Sequence, residues 1–131
     1  MKHAFRSGLE EKVAEQIKAA GLEVVFEGGK VKYTTPETPH TYTWDFKLPN
    51  GILIETKGRF LTADRKKHLL IKAQHPHLDI RFVFTRSQAT ISKTSKTSYA
   101  DWSQKYGFKY ADKLIPQEWL QEKPKVPNVK P

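Results

Sequence analysis

Apolar residues recur along this chain in patterns that change period several times. Leu9, Val13 and Ile17 stand four apart between Ser7-Gly8-Leu9-Glu10, which has capping-box spacing, and Gly21, and they predict a helix over residues 7–20. Val24-Val25-Phe26 is a short apolar run and Lys30-Val31-Lys32-Tyr33-Thr34 alternates, so with Glu27-Gly28-Gly29 between them they read as a hairpin or two loosely paired strands. Thr35 to His40 carries two prolines, which disfavour helix and stiffen an extended connector. The strongest hairpin signal runs from Asp45 to Lys57, where alternating apolar residues flank Asn50-Gly51, two positions that both tolerate positive φ. Thr62 is a good N-cap for a basic helix from Ala63 to Gln74, with Leu69, Leu70 and Ala73 as its buried stripe and His75-Pro76 as its stop.

Farther on, Ile80-Arg81-Phe82-Val83-Phe84 predicts a central strand and the polar stretch from Ser87 to Ser98 a loop. Ser98-Tyr99-Ala100-Asp101 opens a helix that Gly107 ends, with Trp102 and Tyr106 on one side. A short strand over Phe108–Ala111 and a last helical turn at Pro116–Leu120 follow. These elements make one domain over residues 1–121, and the prolines and lysines from Glu122 to Pro131 predict a flexible basic tail.

Charge narrows the partner. The chain has 23 Lys and Arg against 14 Asp and Glu, a formal charge of +9, which favours a polyanion. No apolar run approaches the roughly 18 residues of a membrane-spanning helix and no signal-peptide pattern opens the chain, so nucleic acid is favoured over a membrane, and the cytoplasm is the expected compartment. The absence of cysteine removes disulfides, thiolate zinc sites and thiol nucleophiles. Gly28-Gly29 lacks the surroundings of a phosphate-binding loop, so no nucleotide cofactor is expected, and no G-x-S-x-G turn presents a serine nucleophile.

The hairpin holds the candidate chemistry. Its two strands bring Asp45 and Glu55 together, and Glu55 and Lys57, two apart, leave one face. Such a set can be a simple salt-bridge cluster, since cross-strand charge pairs stabilise sheets by about 0.2 to 1 kcal/mol without further purpose. Yet its polar groups gather at one end of one face. Mg²⁺ characteristically takes one or two carboxylates together with substrate phosphate and water, and Asp45, Glu55 and the Thr56 carbonyl would supply such a shell. Lys57 would orient the attacking water or offset charge on the phosphoryl oxygens. Arg65, Lys66 and Lys67, directly after the acid-lysine strand, and Lys93 and Lys96 in the polar loop are candidates for phosphate contacts, although a charge run is usually a solvated face. Glu10 has a plain role as the carboxylate of its capping box.

An aspartate, a hairpin and Ile54-Glu55-Thr56-Lys57-Gly58 on the next strand resemble the PD-(D/E)xK nucleases. The likeness extends through Ala4-Phe5-Arg6-Ser7-Gly8-Leu9-Glu10, His40-Thr41-Tyr42-Thr43, Leu48-Pro49-Asn50-Gly51-Ile52, Asp64-Arg65-Lys66-Lys67-His68-Leu69-Leu70-Ile71 and Ala111-Asp112-Lys113-Leu114-Ile115-Pro116. From residue 4 to about residue 120 the chain resembles the phage endonuclease I family, the Holliday-junction-resolving enzymes of T-seven-type phages. That resemblance implies a restriction-endonuclease-like α/β fold, a mixed central sheet flanked by helices. It implies a domain-swapped homodimer in which residues 34–41 bridge the subunits and Glu10 of one chain joins Asp45, Glu55 and Lys57 of the other. It implies cleavage of four-way and other branched DNA with Mg²⁺, Mn²⁺ substituting and two ions per site, leaving 5′-phosphate and 3′-hydroxyl ends. The setting it implies is a phage-encoded protein in the host cytoplasm. Trp44 departs from the superfamily pattern, standing where the motif has proline. A nuclease of the same fold with a restriction or repair substrate, and a basic DNA-binding module without catalysis, are the alternatives.

Overall fold

The computed structural model describes residues 8–34 and 38–125. Helix α1 (Gly8–Ala19) is followed by strands β1 (Lys30–Thr34), β2 (Pro39–Thr43), β3 (Phe46–Lys47) and β4 (Leu53–Lys57), helix α2 (Thr62–Gln74), strand β5 (Ile80–Phe84), helix α3 (Tyr99–Lys105), strand β6 (Tyr110–Asp112) and helix α4 (Gln117–Gln121). One mixed sheet has the order β3-β4-β5-β6, antiparallel at β3-β4 and parallel elsewhere. The parallel steps require crossovers, which α2 and α3 supply. β1 and β2 form a separate antiparallel ribbon. The chain thus has the mixed sheet flanked by helices that the family resemblance implies.

β4 and β5 are buried on both faces, as strands of a sheet covered from two sides should be. Leu53, Phe82 and Phe84 join Phe60, Ile71, Tyr99 and Trp102 in one cluster, with Tyr33 and Tyr42 from the ribbon. Ile54 and Val83 join Val13, Ile17, Phe46, Ile115 and Trp119 in the other. Strand alternation then turns Glu55 and Lys57 to the α2 face, with α1 packed on the opposite one.

Several local expectations change. Val24–Phe26 forms no strand with β1, and Phe26 makes only an isolated bridge to Phe46. The partner of β1 is β2, because Pro39–Thr43 continues the alternation with Tyr42 inward opposite Val31. Thr34 pairs with Pro39 within the chain, while residues 35–37 of the expected bridge lie outside the described residues. Ser7, the expected cap of α1, lies outside them as well. In α2 the buried side chains are His68 and Ile71; Leu69 and Leu70 are half-buried and Ala73 is exposed, so the stripe runs one position off the prediction. Its N-cap position is Leu61 rather than Thr62, with the Leu61 N–H donated to Asp64 Oδ2 at 3.1 Å.

The ribbon is fastened to α2. The Gln74 side chain both accepts from the Thr34 N–H and donates to the Thr34 carbonyl, and the His75 ring bonds the Lys32 carbonyl. The C-terminal end is also tied down. Arg81, fully buried in β5, donates to both Asp79 and Glu122, and Asn50 at the hairpin turn donates to the carbonyls of Trp119 and Glu122. The segment expected as a flexible tail therefore opens with an anchored residue, while residues 126–131 lie outside the described ones.

His68 is wholly buried among Tyr42, Phe82 and Phe108, with no hydrogen-bond partner for either ring nitrogen among the described residues. Burial, and then the charges of Lys67 and Lys57, hold it well below its ordinary pKa, so it is neutral in the folded chain. An unfolded His68 takes up a proton below about pH 6.5. Stability from this residue is thus present above pH 6.5 and lost as pH falls, by up to about 1.4 kcal/mol per unit. His68→Leu is expected to remove that part of the slope, read as the parent-minus-variant difference in urea unfolding at pH 7 and pH 5.

Candidate active site

The acid-lysine hairpin forms as its residues dictate, with a different turn. The Gly51 N–H donates to the Leu48 carbonyl and the Leu48 N–H to the Ile52 carbonyl, closing a three-residue loop over Pro49-Asn50-Gly51. Gly51 takes φ +93°, the left-handed position such loops give to glycine. Phe46 then faces Ile54 and Lys47 faces Leu53, which sets Asp45 just beyond the paired residues at the level of Glu55.

Asp45 Oδ2 accepts from both the Thr56 N–H and the Thr56 hydroxyl, each at 2.9 Å. A strand residue sends its N–H and C=O to the same edge, so the Thr56 carbonyl faces the side on which Asp45 lies. Glu55 Oε1 accepts from the Tyr42 hydroxyl at 2.7 Å, and Glu55 Oε2 lies 3.4 Å from Lys57 Nζ. Lys57 also donates to Asp64 Oδ1 at 3.3 Å. One Asp64 oxygen thus holds the lysine while the other caps α2. Lys67 Nζ stands 5.7 Å from the centre of the Tyr42 ring.

Asp45 and Glu55 are both buried. Burial first, and the Asp45 charge second, push the Glu55 carboxyl up to about 7, against the smaller pull of Lys57, Tyr42 and Lys67. Burial alone would lower the Lys57 ammonium; Glu55, Asp64 and Asp45 outweigh it and raise its pKa. Lys57 therefore favours its charged form in this setting.

Asp45, Glu55, Thr56 and Lys57 are brought together as the sequence predicts. Glu10 is buried on α1, and among the described residues no three His, Cys, Asp or Glu side chains are gathered to hold a metal ion, so Glu10 does not complete a triad in this chain. The five basic candidates separate: Lys66, Lys93 and Lys96 are exposed, Arg65 is bound to the Phe60 carbonyl and Thr62, and Lys67 is half-buried over Tyr42. Sequence reading missed Tyr42 and Asp64. Asp64 had a local signal, an acid in the first helical turn three residues after the cap. Tyr42 had none, because it reaches Glu55 only through the packing of two sheets.

Buried carboxylates beside a charged lysine, carried on a mixed sheet by a protein of charge +9, are the equipment of a nuclease. The family model for phage endonuclease I matches residues 1–130. Endonuclease I of Escherichia phage T7 is 55% identical over 125 residues, which cover 95% of this chain and 84% of that relative. Endodeoxyribonuclease 1 of Enterobacteria phage T3 is 53% identical over 125 residues, covering 95% and 82%. This chain belongs to the phage endonuclease I family.

Proposed function

We propose that this endonuclease resolves four-way junctions and other branched DNA by Mg²⁺-dependent phosphodiester hydrolysis, leaving 5′-phosphate and 3′-hydroxyl ends. The observation that carries the metal is the buried Asp45–Glu55 pair, whose mutual repulsion a divalent cation relieves. The donor set fits: hard oxygens from Asp45, Glu55 and the Thr56 carbonyl, with Glu10 as a further carboxylate. Bound Mg²⁺, or Mn²⁺ in its place, with two ions per site, supplies an activated water and stabilises the leaving oxygen. Lys57, held between Glu55 and Asp64, offsets charge on the phosphoryl oxygens. Lys66, Lys93 and Lys96 hold the DNA backbone, while Arg65 is bound to Phe60 and Thr62 and Lys67 lies over Tyr42. No helix among the described residues is long and apolar enough to cross a membrane, and a phage-encoded nuclease meets its DNA in the host cytoplasm.

The working form is a homodimer in which α1 and β1 are exchanged, residues 34–41 bridge the subunits, and Glu10 of one chain completes the PD-(D/E)xK site of its partner. Exchange would carry α1 of one chain onto the hairpin of its partner, and Pro36 and Pro39 stiffen the connector between them. A C2 dimer carries two equivalent sites, matching the approximate two-fold symmetry of a four-way junction. Selectivity comes from DNA shape and backbone contact.

The test is cleavage of junction, cruciform, mismatched and linear duplex DNA with Mg²⁺. Preferential cutting of branched forms is expected. Equal cutting of linear and four-way DNA would point to a restriction or repair substrate, and binding without cutting to a non-catalytic module.

A further inference from the structure

The Tyr42–Glu55 contact is the only hydrogen bond by which the β1–β2 ribbon touches the acid-lysine strand among the described residues, and it falls on the carboxylate that the metal reading depends on. Tyr42 is the one buried side chain of β2, 2% exposed, and its ring is fixed edge-on by Trp44 and His68 and flanked by the Lys67 ammonium. A ring held on these sides cannot swing its hydroxyl elsewhere. Glu55, for its part, accepts a hydrogen bond from Tyr42 on Oε1 and pairs with the Lys57 ammonium at 3.4 Å on Oε2. The Tyr42 hydroxyl is thus the one hydrogen-bond donor to this carboxylate among the described residues.

We propose that Tyr42 is a positioning residue: its hydroxyl sets the rotamer in which Glu55 meets a divalent cation, so that the ribbon, which is fastened to α2 through Gln74 and His75, holds the metal ligand in register. This rests on the metal-dependent reading above. A carboxylate with one donor removed turns more freely, so the loss appears in ion affinity before it appears in the rate at saturating ion. Lys67 plays a different part, since its ammonium lies against the ring and not the hydroxyl, and replacing tyrosine by phenylalanine leaves that contact in place.

Mn²⁺ alone is the probe, titrated calorimetrically into the whole chain without DNA, for the parent, Tyr42→Phe and Tyr33→Phe. Tyr33 is a buried phenol on the same ribbon that makes no hydrogen bond to Glu55. Tyr42→Phe is expected to weaken Mn²⁺ binding by about tenfold, the lower edge of the loss for a hydrogen bond to a charged group. The Mn²⁺ concentration for half-maximal junction cleavage should rise by a similar factor, with the saturated rate within about threefold of the parent. Tyr33→Phe should bind Mn²⁺ like the parent. Parent-like binding by Tyr42→Phe, or equal weakening in both variants, would overturn the assignment and leave Tyr42 as packing. A parent that bound no Mn²⁺ would instead remove the metal reading itself, and this proposal with it.

Discussion

Glu55→Gln is expected to lower junction cleavage by about a thousandfold while leaving junction binding intact, and to make the folded protein more stable at neutral pH. Both effects have one cause. The Glu55 carboxyl ionises near pH 4.5 when exposed and at about 7 in the fold, where burial and the neighbouring Asp45 penalise its charge. Between these values the unfolded chain has released a proton that the folded chain retains, so stability falls as pH rises through the interval and levels off above about 7. The full cost above pH 7 is about 3 kcal/mol, at 1.36 kcal/mol per unit. Glutamine keeps the acceptor for Tyr42 and carries no charge, so most of that cost disappears. Urea unfolding at pH 5 and pH 8 should show the parent losing stability across the interval and the variant losing much less of it. Unchanged cutting by Glu55→Gln would refute a catalytic Glu55.

Glu10→Ala and Asp45→Ala chains should each be inactive alone and active together after joint refolding. If Glu10 serves the hairpin of the other subunit, a mixed dimer has one site with both substitutions and one with neither. Random pairing makes about half the dimers mixed, so roughly a quarter of the parent's intact sites return, visible as nicks in one strand instead of paired cuts. A site built within one chain gives no intact site in any pairing. Failure to recover nicking would therefore argue against donation of Glu10 by the partner.

The sequence carried the site further than the sheet around it. Asp45, Glu55 and Lys57 were legible because a hairpin is a local object: register follows from the turn, and alternation assigns the faces. The turn itself differed, a three-residue loop with Gly51 alone in the left-handed region, because Pro49 and Asn50 serve as its first two residues. β5 and α3 were legible for similar reasons, the second through a capping box in which Ser98 and Asp101 bond each other's backbone. What escaped was set by distant pairing. Val24–Phe26 looked like a strand and lacked one to pair with, whereas Pro39–Thr43 looked like a connector and found β1. The buried stripe of α2 shifted because His68 fits an aromatic cleft that no periodicity announces. A role for Glu10 beyond its capping box came only from the family resemblance and not from any local pattern.

The clamp made by Arg81, Asn50 and Glu122 bears on when the chain can fold during its own synthesis. Arg81 is sealed inside the sheet, and its second carboxylate arrives only with residue 122, at the far end of the described chain. The turn carrying Asn50 likewise waits for the carbonyls of Trp119 and Glu122. A ribosome must therefore deliver nearly the whole chain before the hairpin is locked. A chain ended before α4 would leave Arg81 paired with Asp79 alone and the Asn50 turn without its two carbonyl acceptors.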